Sequence, residues 1–112
     1  MDATTIDRFA ALIRDTLTAL DAEEAATRED RAPVTLDQQS VGRLSRMDAL
    51  QVQAMATAQS RRRRAERRRL TAALDRIADG SFGECQECGE PIALKRLELD
   101  PSQIRCIDCA SA

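Results

Sequence analysis

The chain has 112 residues, of which 43% are hydrophobic but only 2% aromatic, and its formal net charge is −2 at pH 7. This length allows one domain, or a helical part joined to a small finger, and an apolar content made mostly of Ala and Leu predicts close-packed helices with a thin core. The net negative charge argues against general nucleic-acid binding. No apolar run approaches the ~20 residues that span a bilayer, and the first residues lack the basic and apolar regions of a secretory signal, so we expect a cytoplasmic protein with no membrane segment.

The first predicted element is a helix over residues 5–31, which we interpret as the first arm of an antiparallel coiled-coil hairpin. Thr5 is its predicted N-cap. Residues that step by three and four form the seam expected of a coiled coil, at Ile6, Phe9, Ile13, Thr16 and Leu20. Pro33 cannot continue a helix and disfavours helical backbone at the residue before it, so it ends this element.

Residues 32–44 are the predicted tip of the hairpin, and a long second helix follows from about 46 to 79. Ser45 and Asp48 have the spacing of a capping box at its start, and Gly80 is the predicted C′ residue at its end. The predicted packing positions of this second helix are Met47, Leu50, Ala54, Ala58 and Ala65. The pairing considered for the two helices puts residue 31 opposite about residue 45. We therefore expect a hairpin domain over 1–79 and a second domain over 80–112 that contains a short helix at 93–99.

All the cysteines of the chain lie in the second domain as two C-x-x-C pairs: Cys85, Cys88, Cys106 and Cys109. Two such pairs can direct four thiolates at one point, which is the donor set of a closed tetrahedral zinc site. The chain has no His, so a metal site with both Cys and His ligands is excluded. A segment of roughly thirty residues cannot bury enough apolar surface to fold alone. We predict one structural Zn²⁺ per chain, with two disulfides or an iron–sulfur cluster as the alternatives.

The residues around the cysteine pairs resemble the DksA/TraR family of zinc-finger proteins. The likeness covers residues 80–109 and rests on Phe-Gly before the first pair, Cys-Gly after it, and Ile92, Arg96 and Pro101 beyond. The resemblance implies a bacterial transcription regulator in which a four-cysteine zinc knuckle follows a two-helix hairpin. It also implies that RNA polymerase is the partner, that the hairpin enters the polymerase secondary channel, and that DNA is not bound sequence-specifically. We expect a monomer.

Two groups of surface residues are candidates for partner binding. By resemblance, residues at the tip reach toward the polymerase active centre, and the candidates here are Asp37, Arg43, Ser45, Arg46 and Asp48. Asp48 is interpreted either as such a residue or as a helix-capping acid. The second group is a run of arginines in the long helix: Arg61, Arg62, Arg63, Arg64, Arg67, Arg68 and Arg69. We expect too few carboxylates to face this run, which is either a solvated helix face or a binding surface for an acidic protein or a phosphate-bearing ligand.

The sequence offers no candidate active site. It has no His, no nucleophile beside a base and no Gly-rich loop for phosphates, and its thiols are committed to a metal. Taken with what the resemblance to the DksA/TraR family implies, the predicted function is a non-enzymatic regulator of RNA polymerase. Two alternatives stay open: a nucleic-acid-binding module that uses the arginine helix and the finger, and a zinc-stapled adaptor for another protein.

Overall fold

The computed structural model describes residues 1–33 and 43–112, with side chains of the second range from residue 45 onward. Within these ranges the backbone forms five helices and no strand: α1 (Ala3–Ala26), α2 (Arg28–Arg31), α3 (Arg43–Asp79), α4 (Leu94–Leu99) and α5 (Ile107–Ser111). The predicted class is mostly helical, with long helices before the cysteine segment (residues 80–112) and a short helix inside it. This prediction is confirmed. No helix in the described part of the chain has the length and apolar character needed to cross a membrane.

The first predicted helix is present as two pieces, α1 and α2, with Thr27 between them. The Thr27 hydroxyl donates a 3.0 Å hydrogen bond to the Glu23 carbonyl oxygen, a side-chain bond to the backbone that competes with regular helix continuation. The predicted N-cap at Thr5 is wrong. The helix begins earlier, and Asp2 Oδ1 accepts a 2.8 Å hydrogen bond from the Thr5 N–H. Hydrogen bonds from the Thr5 side chain and from this N–H lower the pKa of Asp2. The bond from the N–H also satisfies a first-turn donor of the helix.

The long helix α3 ends as expected and begins earlier than expected. At its end Gly80 has φ +84°, and the Ser81 N–H donates a 2.9 Å hydrogen bond to the Arg76 carbonyl oxygen. This is a Schellman closure, which confirms the predicted C′ glycine. At its start the helix includes Arg43, so Ser45 lies inside the helix and the predicted capping box with Asp48 is wrong. Most of the predicted tip, 34–42, lies outside the described residues.

The described residues group into two compact units, one formed by Met1–Thr18 and Arg67–Ala112 and the other by Ala19–Glu66. The buried apolar side chains of the first unit come from both long helices and from the cysteine segment, and include Phe9, Ile13, Leu70, Ala73, Phe82 and Leu97. Of the predicted seam residues of α1, Phe9 and Ile13 are therefore buried in this unit. The expected boundary between residues 79 and 80 stays a prediction.

The second unit has a different pairing register from the one expected. Gln53 Nε2 donates a 2.9 Å hydrogen bond to the Ala32 carbonyl oxygen, so this end of α2 lies beside residue 53 and not beside residue 45. The buried residues of α3 in this unit are Ala56 and Ser60. Two of the predicted packing residues, Met47 and Leu50, are 57% and 48% exposed. The predicted register and packing positions are therefore wrong in this part of the helix.

The reason for the observed register is a polar cluster around one carboxylate. Glu24 accepts hydrogen bonds from the Ser60 hydroxyl at 2.7 Å and from Arg63 Nη2 at 2.9 Å. Arg64 Nε lies 3.2 Å and Arg31 Nη1 3.4 Å from the same carboxylate. The Ser60 hydrogen bond, with those from Arg63 and Arg64, lowers the pKa of Glu24 to about 2. A half-buried polar cluster of this kind selects one register, because any slip of the helices leaves its charges unpaired.

The Glu24 cluster should make stability sensitive to acid. The folded-state pKa of about 2 lies below the ordinary value of 4.5, so the stabilisation is fully present above the ordinary pKa and is lost as the pH falls through the folded one. We expect Glu24→Gln to melt at a lower temperature than the wild type at pH 7. The difference should shrink as the pH is lowered from about 5 to about 3. Circular dichroism melting of both proteins measures it.

The control for this experiment is Glu23→Gln, which neutralises the adjacent, exposed acid of α1. It should leave the melting temperature close to that of the wild type throughout the pH range. Loss of zinc in acid affects all three proteins alike, so the difference between them isolates the Glu24 carboxylate. A Glu24→Gln difference that does not change with pH would contradict the assignment.

Candidate metal centre

The first cysteine pair lies in a turn that is closed by backbone hydrogen bonds just after α3. Gly83 and Gly89 flank the pair with φ of +87° and +76°, a left-handed backbone that glycine adopts without steric cost. The Cys85 N–H donates a 2.8 Å hydrogen bond to the Glu90 carbonyl oxygen. The Gly89 N–H returns a 2.9 Å hydrogen bond to the Cys85 carbonyl oxygen. The turn therefore holds both sulfurs of the pair on one side of a rigid loop.

The second cysteine pair lies at the start of α5, and its first member, Cys106, immediately precedes this helix. The Ala110 N–H donates a 2.9 Å hydrogen bond to the Cys106 carbonyl oxygen, and the Gln86 N–H donates one of 2.8 Å to the Ile104 carbonyl oxygen. Arg96 of α4 donates from Nε to the Arg105 carbonyl oxygen at 3.0 Å. These bonds join the two pairs through the backbone and brace the chain that leads into Cys106.

The four sulfurs form one cluster, in which all of them lie within 4.8 Å of one another. The Cys88 and Cys106 sulfurs are 3.6 Å apart. A tetrahedral zinc ion with Zn–S bonds of ~2.3 Å places its sulfurs ~3.8 Å apart, so the cluster fits one ion. All four cysteines are free thiols, and sulfurs at this distance are not disulfide-bonded. The two-disulfide alternative is not supported.

The electrostatics of the cluster also favour the binding of a cation. Backbone N–H groups of Cys106 and Cys88 lower the pKa of the Cys85 thiol to about 6. Hydrogen bonding to the Cys106 sulfur, and to those of Cys85 and Cys88, raises the pKa of Cys109. The crowded sulfurs thus favour one thiolate and disfavour the last, whereas a divalent cation stabilises all four. The donor set is complete without water, so the ion is structural.

Some arginines of the run contact other residues of the protein, and others are exposed to solvent. Arg63 is 13% exposed at its side chain and, with the more exposed Arg64, is paired with Glu24, so the expectation that too few carboxylates face the run is wrong for these two. Arg67 also has an interaction partner. The other four members are exposed: Arg61, Arg62, Arg68 and Arg69.

A cationic cleft of about 560 Å³ lies in the first unit, between the last turns of α3 and the cysteine segment. Five arginines and one acid, Asp100, are among the residues that line it, and the arginines are Arg68, Arg69, Arg76, Arg96 and Arg105. Arg76 is only 9% exposed, and its Nη2 has no hydrogen-bond partner among the described residues. Desolvation lowers the pKa of this guanidinium. The cleft thus holds an excess of positive charge.

Three of the cleft arginines were not among the sequence candidates. Arg76 lies seven positions after Arg69 on the same helix, so helical spacing could have indicated it. Arg96 and Arg105 carry no such signal, because only the turns around the cysteines bring them to α3. Of the tip candidates, Ser45, Arg46 and Asp48 are exposed on the first turns of α3. Asp37 and the Arg43 side chain lie outside the described residues.

Comparison with known proteins identifies the type of zinc finger. The family model of the prokaryotic dksA/traR C4-type zinc finger matches residues 80–112. The structure of transcription factor DksA2 from Pseudomonas aeruginosa is similar to 99% of this chain and to 84% of that protein, with a TM-score of 0.76 and 25% identity. Residues 80–112 therefore form a zinc finger of the DksA/TraR type. Both the resemblance seen in the sequence and the prediction of structural zinc are confirmed.

Curated relatives in this family carry the name RNA polymerase-binding transcription factor DksA. The protein of Caulobacter vibrioides is 45% identical over 40 residues, and that of Escherichia coli is 38% identical over 42 residues. The matched stretches cover 36% and 38% of this chain, and each spans 28% of the length of the relative. The sequence likeness to these DksA proteins is thus limited to a short part of them.

Folding of the finger should depend on the zinc ion. We expect metal analysis to find one zinc per chain, and Cys106→Ser to lose zinc and unfold residues 80–109 while the long helices remain partly formed. The physical reason is that the metal supplies folding free energy which this segment lacks. Metal analysis by mass spectrometry and circular dichroism measure the two effects.

The control is Asp108→Asn, which changes an exposed residue inside the second C-x-x-C pair and leaves the four sulfurs in place. It should retain zinc at the wild-type ratio. Iron in place of zinc, or a folded, reduced protein without metal, would contradict the assignment.

Proposed function

We propose that this chain is a non-enzymatic transcription regulator that binds RNA polymerase directly and inserts its hairpin tip into the secondary channel of the polymerase. The observation that carries the proposal is the similarity to DksA2 over 99% of the chain, because it includes the long helices as well as the zinc finger. The names of the curated relatives support RNA polymerase as the partner. In this proposal the protein is a bacterial, cytoplasmic monomer.

Zinc has no chemical role in this proposal beyond holding the finger. The four thiolates leave no coordination position for a substrate, so the protein acts by occupying space and presenting charge. The helix α3 runs without a break for 37 residues, and at ~1.5 Å per residue it is ~55 Å long. The proposal assigns entry into the channel to the first turns of α3, which carry Asp48.

Docking is proposed to use exposed arginines of the run that have no ion pair with another described residue. Arg63 and Arg64 are bound to Glu24, so the proposal rests on Arg61 and Arg62 and on the pair at the cleft, Arg68 and Arg69. An acidic polymerase surface or a phosphate-bearing ligand would match the excess charge of the cleft, since guanidinium groups form paired hydrogen bonds with carboxylates and phosphates. The buried Arg76 adds a donor that such a group could satisfy.

We expect replacement of four arginines by Gln to weaken polymerase binding. The variant changes Arg61, Arg62, Arg68 and Arg69 together. The Kd should rise on the order of tenfold at low salt, and its dependence on salt should fall, because exposed charges act mainly through screened long-range attraction. Fluorescence anisotropy with labelled protein and polymerase core, at several salt concentrations, measures both.

The matched control is Arg14→Gln with Arg28→Gln, which removes two exposed arginines from α1 and α2. It should leave the Kd within about twofold of the wild type. Tight binding of duplex DNA at physiological salt, with a salt dependence that tracks the number of arginines, would contradict the polymerase proposal and favour the nucleic-acid-binding alternative.

The tip should alter polymerase activity without contributing to docking. We expect Asp37→Asn with Asp48→Asn to bind polymerase with nearly wild-type affinity and to lose any effect on the lifetime of promoter complexes. The reason is that a carboxylate close to the catalytic Mg²⁺ of the polymerase would act through strong local electrostatics. Filter-binding decay assays of promoter complexes, at saturating protein, measure the effect.

The control for the tip is Asp7→Asn with Asp15→Asn, an equal change of charge at two exposed residues of α1. It should leave both binding and complex lifetime unchanged. Loss of binding in the tip variant, with regulation intact for each bound molecule, would show that the protein does not act from this tip.

A further inference from the structure

We propose that Phe9 of α1 is a positioning residue of the zinc centre, which links the occupancy of the metal site to the folding of the first half of that helix. Phe9 and Phe82 are the two aromatic residues of the chain, and they contact each other. Their ring centroids are 5.5 Å apart with an interplanar angle of 56°, a tilted arrangement that aromatic pairs favour. Phe9 is 1% and Phe82 7% exposed.

Phe82 transmits this contact to the metal ligands through the backbone. Cys85 follows three residues later and is itself buried. The Phe82 N–H donates a 3.1 Å hydrogen bond to the last turn of α3, at the Arg76 carbonyl oxygen. The Ile92 N–H donates a 2.7 Å hydrogen bond to the Gly83 carbonyl oxygen. The first cysteine turn is therefore held between α3 and the segment after it, and Phe82 is its apolar anchor.

The finger cannot bury this anchor with its own residues. Phe82, Ile92 and Leu97 are its large buried apolar side chains, whereas Leu99 and Ile107 are 90% and 63% exposed. Helix α1 supplies the missing cover with Phe9. A second contact between α1 and the finger is the 3.5 Å ion pair of Arg8 with Glu98, but it is well exposed and contributes little. Phe9 is the aromatic contact of α1 with the finger, and it is buried.

Linkage follows from this packing. If zinc stabilises the turn on which Phe9 packs, then Phe9 must raise the affinity for zinc by the same factor, because coupling between two equilibria is reciprocal. Removal of the metal should loosen α1 near Phe9, and removal of the ring should speed the release of the metal. The proposal does not depend on polymerase binding, so the failure of one leaves the other standing.

The test measures zinc release from the full chain to an excess of a colorimetric chelator. We expect Phe9→Ala to accelerate release roughly 5- to 150-fold, the usual range of coupling between sites. Phe9→Leu keeps apolar volume without the ring and should accelerate it less. The control is Leu20→Ala, which removes a buried side chain of the same helix in the other compact unit and should change the rate less than about twofold.

The reciprocal measurement uses hydrogen exchange of the wild-type protein with and without zinc, and it decides the question even if Phe9→Ala does not fold. Removal of zinc should reduce the protection of amides around Phe9 and Ile13 more than that of amides around Leu20 and Glu24. Equal loss of protection along α1, or equal acceleration of zinc release by Leu20→Ala, would overturn the proposal in favour of general destabilisation. A rate unchanged in both Phe9 variants would overturn it as well.

Discussion

The structure depends on the shortage of apolar surface in the cysteine segment. A stretch of roughly thirty residues cannot fold on its own core, and three large side chains of this segment are buried. Four thiolates around one ion replace the missing core by a cross-link between two rigid turns. Phe9 of α1 packs against Phe82 of this segment, and both residues lie in the same compact unit.

A second constraint is polar and acts in the other compact unit. Small residues such as Ala56 and Ser60 line α3 there, and an Ala-rich surface fits a partner helix in more than one register. The Glu24 carboxylate removes this ambiguity, because its hydrogen bonds to Ser60, Arg63 and Arg64 form in one register only. The same contacts divide the arginine run into two groups. Arg63 and Arg64 stabilise the fold, and other arginines of the run are exposed.

These two constraints separate structure from function in the molecule. The metal and the Glu24 cluster hold the fold, and neither offers an open position for chemistry. What is left for a partner is surface: the exposed arginines, the cleft around Arg76, and the first turns of α3. The proposed function, which acts by contact rather than by reaction, needs no more than this.

The sequence by itself determined the features that depend on short spacings. The two C-x-x-C pairs predict a four-thiolate site, Gly80 predicts the end of α3, and residues 93–99 predict a short helix, because turns and helices are decided by neighbours along the chain. Only the tertiary structure decided the register of α3, the cap at Asp2 and the meeting of Arg76 with Arg96 and Arg105. The register and the cleft depend on contacts between residues far apart in sequence. The cap depends on where the helix begins, which propensity alone locates poorly when several residues can serve.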